Sequence, residues 1–98
     1  MKVEELQNRL NQGAVTDVVD VREREEYEAG DKIPGSTNIP MGQMFVEANA
    51  GRLPKDRKIV TICKTGGRCE IVARELGKKG YDIEYLEGGI EAWKQAAR

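Results

Sequence analysis

The chain has 98 residues, 39% hydrophobic and 34% charged, with 16 basic and 17 acidic side chains and a formal net charge of −1. That length and apolar content suit one domain with one core, and the balanced charge argues against a nucleic-acid binder, which would carry a basic excess. No apolar run approaches the ~20 residues of a membrane-spanning helix, and the absence of histidine removes Ser-His and Cys-His catalytic pairs and any histidine metal site. The N-terminus is amphipathic rather than apolar, so no signal peptide is read and a cytosolic, monomeric protein is expected. In that reducing setting the two cysteines, Cys63 and Cys69, read as free thiols.

In chain order the pattern alternates. Val3, Leu6 and Leu10 fall at helical spacing, and Gly13 stops that helix. Ala14 to Val21, with Val15, Val18, Val19 and Val21, reads as a strand. Glu23 to Ala29 is a short charged helix with a solvated face, ended by Gly30; Ile33 to Ser36 is a turn. Thr37 to Ile39 is a short strand closed by Pro40. Met41 to Ala48 is a helix with Met41, Met44 and Phe45 inward, and Gly51 to Arg57 is a polar loop. Ile59 to Ile62 is a β-branched, buried strand, and Arg68 to Lys79 a helix with Ile71, Val72 and Leu76 on its apolar face, stopped by Gly80. Ile83 to Leu86 is a further strand. Gly88-Gly89 turns it into a last helix containing Ile90, Trp93 and Ala97. Strands alternating with helices predict an α/β fold, a mostly parallel sheet with helices on both faces.

Between the Ile59–Ile62 strand and the body of the next helix sit Cys63, Lys64, Thr65, Gly66, Gly67 and Arg68, with Cys69 following in the first helical turn. In parallel sheets the ligand site lies outside the carboxyl ends of the strands. Two glycines let backbone N–H groups converge, and a helix start adds partial positive charge. Lys64 and Arg68 add two full charges. All of these favour the thiolate of Cys63 and predict a lowered pKa. Asp20 and Arg22 follow the first strand and belong on the same edge. They read as supporting residues, Asp20 binding loop amides and Arg22 pairing with a carboxylate.

Four pieces in this order carry a resemblance. They are Asp17 to Arg22 followed by Glu25-Glu26-Tyr27; Ile33 to Pro40; Ile59 to Arg68; and Gly80-Tyr81 with Tyr85 to Ile90 and Ala92-Trp93. Over nearly its whole length the chain resembles the single-domain rhodanese sulfurtransferases. The resemblance implies a five-stranded, mostly parallel sheet with helices on both faces. It implies that Cys63 takes a sulfane sulfur from a donor such as thiosulfate, becomes a persulfide, and passes the sulfur to cyanide or a thiol. Lys64, Arg68 and the loop amides would hold the dianionic donor, and no metal or organic cofactor is needed. The same cysteine would serve a relay between protein partners, while a non-catalytic anion-binding domain of this kind usually lacks it.

Related cysteine phosphatases have five residues between cysteine and arginine. Here there are four, Lys64 to Gly67, and the tighter loop suits one sulfur atom. Where the family usually has Gly-His-Ile-Pro-Gly-Ala, this chain has Gly30-Asp31-Lys32-Ile33-Pro34-Gly35-Ser36. Where Ser or Thr commonly follows the loop arginine, it has Cys69. Cys69 has two readings: a small buried residue in the first helical turn, or a second thiol able to attack the persulfide or close a disulfide with Cys63.

Overall fold

The computed structural model describes residues 1–96. Its elements are α1 (Val3–Asn11), β1 (Thr16–Asp20), α2 (Arg24–Ala29), β2 (Thr37–Asn38), α3 (Met41–Asn49), β3 (Lys58–Ile62), α4 (Gly67–Gly77), β4 (Ile83–Tyr85) and α5 (Gly89–Ala96). All strand pairings are parallel, in the order β2-β1-β3-β4. Ala97, expected in the last helix, lies outside the described residues. Among the described residues no helix is long and apolar enough to cross a membrane.

The sheet is buried on both faces, and the side-chain period of two sorts each strand between two cores. Val19, Val21, Ile59 and Cys63 face one way, with Met44 and Ala48 of α3 and Cys69, Val72 and Leu76 of α4. Val18, Val60 and Ile62 face the other way, with Val3 and Leu6 of α1 and Ile90 of α5. Each such aliphatic side chain contributes about 1.5–3 kcal/mol when fully buried. Because Cys63 continues the alternation of Ile59 and Thr61, its sulfur points toward α4.

Four strands are present among the described residues, where the resemblance implied five. The fifth place is held by one residue. The Met1 amine donates to the Tyr85 carbonyl at 2.8 Å, and the Glu87 N–H donates to the Met1 carbonyl at 2.9 Å. That is the hydrogen-bond pattern of a parallel neighbour beside β4. The chain then turns into α1 at Val3, which ends the pairing beyond Met1.

Other expectations shift by small amounts. Val15 is 66% exposed and precedes β1, and Ile71 is 40% exposed. The buried stripe of α4 is Cys69, Val72, Ala73 and Leu76, one position round from Ile71. Met44 is fully buried, while Met41 and Phe45 pack partly buried against the same core. The Ile33–Ser36 turn is closed by the Ser36 N–H donating to the Ile33 carbonyl at 3.0 Å, with Gly35 at φ +83°.

Candidate active site

Cys63 leaves the sheet at the carboxyl end of β3, and the chain reverses through Lys64 to Gly66 into α4. Gly66 has φ +118°, a conformation that L side chains rarely adopt. The reversal aims donors at the Cys63 sulfur: the Gly66 N–H at 3.1 Å and the Cys69 N–H at 3.3 Å. The Sγ of Cys69 lies 3.1 Å from the Sγ of Cys63. Cys63 is 1% exposed and Cys69 0%.

The two sulfurs are in hydrogen-bond contact, and their other neighbours decide which is the thiolate. Cys63 meets N–H groups, which favour a thiolate. The Cys69 sulfur meets carbonyl oxygens, those of Gly66 at 3.3 Å and Leu86 at 3.9 Å, which favour a thiol. Cys69 therefore donates and Cys63 accepts. The Cys63 pKa is lowered to about 5, first by the Cys69 thiol and then, against the opposing effect of burial, by the backbone N–H groups of Cys69, Gly66 and Arg68. The Cys69 thiol is pushed up by the same hydrogen bond, by burial and by the neighbouring negative charge.

Of the sources of activation expected from sequence, the converging backbone N–H groups are present, while the charges of Lys64 and Arg68 do not lead. Lys64 and Thr65 are exposed at the rim of the loop. The Arg68 guanidinium is engaged by Glu26 of α2, with Nη1 donating to Oε1 at 2.6 Å and Nη2 to Oε2 at 2.9 Å. Glu26 is held at about 2, mainly by that pair. The thiolate thus rests chiefly on neutral donors, and the Arg68 charge is largely compensated. Glu26 is the residue that sequence reasoning missed, because it sits in a charge run read as a solvated face. Its one local signal is the capping box that it forms with Glu23 at the start of α2.

A second anchor comes from α5. The Ile90 N–H donates to the Cys63 carbonyl at 2.8 Å, and the Glu91 N–H donates to the Lys64 carbonyl at 3.1 Å. Gly89 makes this approach possible, since a Cβ there would stand 2.4 Å from the Cys63 carbonyl oxygen. The Gly88-Gly89 pair is therefore a turn, as its sequence suggests, and also the contact that fixes the base of the loop.

Asp20 and Arg22 lie at the same sheet edge but bind each other. Asp20 Oδ2 accepts from Arg22 Nη2 at 2.8 Å, and Oδ1 accepts from the Arg22 backbone N–H and Nε, each at 3.0 Å. Arg22 Nη2 also donates to the Asp31 carbonyl at 2.8 Å, which fixes the loop where the family pattern is altered. Both side chains are buried, and the carboxylate raises the Arg22 pKa. They brace the strand end and present no free charge to a ligand at Cys63.

With this geometry in view, comparison with known proteins is decisive for the family. A family model described as a rhodanese-like domain matches residues 2–96. The chain belongs to the rhodanese-like family. It is 36% identical over 94 residues to the putative sulfur carrier protein YrkF of Bacillus subtilis, covering 95% of this chain and 49% of that protein. It is 36% identical over 77 residues to the putative sulfurtransferase YtwF of Bacillus subtilis, covering 79% of this chain and 72% of that one. A crystal structure of a rhodanese-related protein from Thermoplasma volcanium superposes with a TM-score of 0.84 at 29% identity, covering 98% of this chain and 90% of that chain. This rhodanese-like chain spans about half the length of the first of these relatives.

Proposed function

We propose that this chain is a sulfurtransferase that works through a persulfide on Cys63. The observation that carries the reading is the Cys63 sulfur itself, buried at a strand end and met by two backbone N–H groups and one thiol at 3.1–3.3 Å. The thiolate attacks the outer sulfur of thiosulfate, an S–S bond forms, and sulfite leaves with the electron pair. The loop amides then stabilise the persulfide anion as an oxyanion hole stabilises an alkoxide. Lys64, exposed at the rim, is the cation left to meet the incoming dianion. The persulfide next passes its outer sulfur to cyanide or a small thiol.

A relay between proteins is the second reading. It is favoured by the relative named a sulfur carrier. In a relay the donor is a partner's persulfide and the acceptor a partner's thiol, while the role of Cys63 is unchanged.

Intact mass after exposing the reduced protein to thiosulfate tests the reading, with Cys63→Ala as control. Sulfur gained by the parent, or sulfide released from it, with neither in the control supports it, and cyanide present from the start should yield thiocyanate. Neither sulfur gain nor sulfide release in either protein removes thiosulfate as donor, and a protein or small-molecule persulfide is tested in its place.

A further inference from the structure

From the placement of Cys69 beside Cys63, we infer that Cys69 is a resolving thiol that converts the Cys63 persulfide into a Cys63–Cys69 disulfide and releases hydrosulfide. This inference rests on the persulfide reading above and adds a sulfide-releasing, thiol-dependent activity to it.

Geometry carries it. The two sulfurs are 3.1 Å apart, about 1 Å more than the S–S bond length of about 2.05 Å. Gly66 and Gly67 lie between the two cysteines, so the short segment that must adjust is the least restricted in the loop. Both sulfurs lie in the same buried cluster, and neither is tied up in a disulfide. A thiol from solution must come in as the sulfur donor did, to a residue that is 1% exposed. Cys69 is already in contact.

The step balances without an added oxidant. The Cys69 thiol gives its proton to the outer sulfur of the persulfide. The Cys69 sulfur then bonds to Cys63 Sγ, the bond between Cys63 Sγ and the outer sulfur breaks, and the outer sulfur leaves as hydrosulfide with that electron pair. The two cysteines are oxidised and the sulfane sulfur is reduced. A dithiol returns the site to its starting state, becoming a disulfide as it restores both thiols.

Timing is built into the same contact. In the resting site the Cys63 thiolate keeps Cys69 protonated through the hydrogen bond and the adjacent charge. Once Cys63 Sγ is bonded to sulfur, the negative charge moves to the outer atom, and the largest influence holding Cys69 as a thiol weakens. Before loading, Cys63 is itself a thiolate and offers Cys69 no bond to attack, so the step can only follow loading.

The test uses the reduced full chain, Cys69→Ser and Cys69→Ala, each given thiosulfate without added thiol and followed by intact mass and sulfide assay. The expected result is that the variants gain one sulfur atom and hold it. The parent should end with two hydrogens lost and one equivalent of sulfide released, and a dithiol should restore its mass. A delayed addition of cyanide should then yield thiocyanate from the variants and little from the parent. If the parent holds the added sulfur as long as the variants do, with no sulfide, the inference is overturned while the persulfide reading stands. If no protein gains sulfur or releases sulfide with thiosulfate or with a small-molecule persulfide as donor, both fall together.

Discussion

Arg68 and Glu26 lie 42 positions apart in the chain and meet in a two-pronged pair, at 2.6 and 2.9 Å. The pair ties the first turn of α4 to α2 and sets one of the loop's two fixed positive charges against a carboxylate. Both side chains are about one-third exposed, so solvent screening keeps its worth small. A double-mutant cycle with Glu26→Gln and Arg68→Ala in urea denaturation should give a coupling energy of about 0.5–1 kcal/mol. A coupling near zero would make the contact geometric only.

The Cys63 thiolate sets a pH dependence whose sign follows from its lowered pKa of about 5. Alkylation of Cys63 by iodoacetamide should speed up as pH rises through about 5 and level off by neutrality. Cys69→Ala removes the largest cause of that lowering and should move the midpoint upward, toward the ordinary thiol value of about 8.5. Stability should follow the same linkage. The folded-state pKa lies below the unfolded one, so the contribution is full above about 8.5 and is lost as pH falls through about 5. The stability of the parent relative to Cys63→Ser should therefore grow with pH across that window in denaturant titrations.

Much of this site is legible in the sequence because its logic is local. The alternation through Ile59, Thr61 and Cys63 gives the direction of the sulfur, and Gly66-Gly67 before an apolar helical stripe gives the reversal that converges amides on it. What is not legible is long-range. In the run Arg22 to Glu28 the capping-box place three residues after Glu23 sets Glu26 apart, but it marks a helix start and gives no hint of Arg68. The four strands read from the pattern are the four observed, while the fifth comes from the family resemblance alone, and the Met1 contact in its place leaves no periodic signal. Cys69 is legible as a buried residue of the first helical turn, yet its contact with Cys63 depends on how far the loop folds back.

Asp20 and Arg22 form a buried pair with exposures of 1% and 6%, and removal of one partner strands the other's charge. Asp20→Ala should cost about 3–5 kcal/mol, measured by chemical denaturation. The double variant Asp20→Ala with Arg22→Met should recover part of that loss, because no unpaired charge is left in the interior. A loss no smaller in the double variant than in the single one would mean that the pair's hydrogen bonds to the loop, and not its charge balance, dominate.

Gly89 and Gly67 offer a matched comparison across the same loop. Gly89 has φ +59°, and a Cβ there would stand 2.4 Å from the Cys63 carbonyl oxygen and 2.7 Å from the Lys64 carbonyl. Those atoms are backbone and cannot swing away. The start of α5 would have to retreat, taking with it the N–H groups of Ile90 and Glu91 that hold the base of the loop. Gly67 begins α4 with no positive φ, and a Cβ there meets nothing within 4 Å. Gly89→Ala should therefore cost at least about 2 kcal/mol, from the left-handed backbone and the displaced contact together. Gly67→Ala should stay within about 0.5 kcal/mol of the parent, as a surface change does. Denaturation midpoints of the two variants check this directly. Equal losses would show that the approach of α5 to Cys63 is softer than its distances imply, and that the loop keeps its shape without that support.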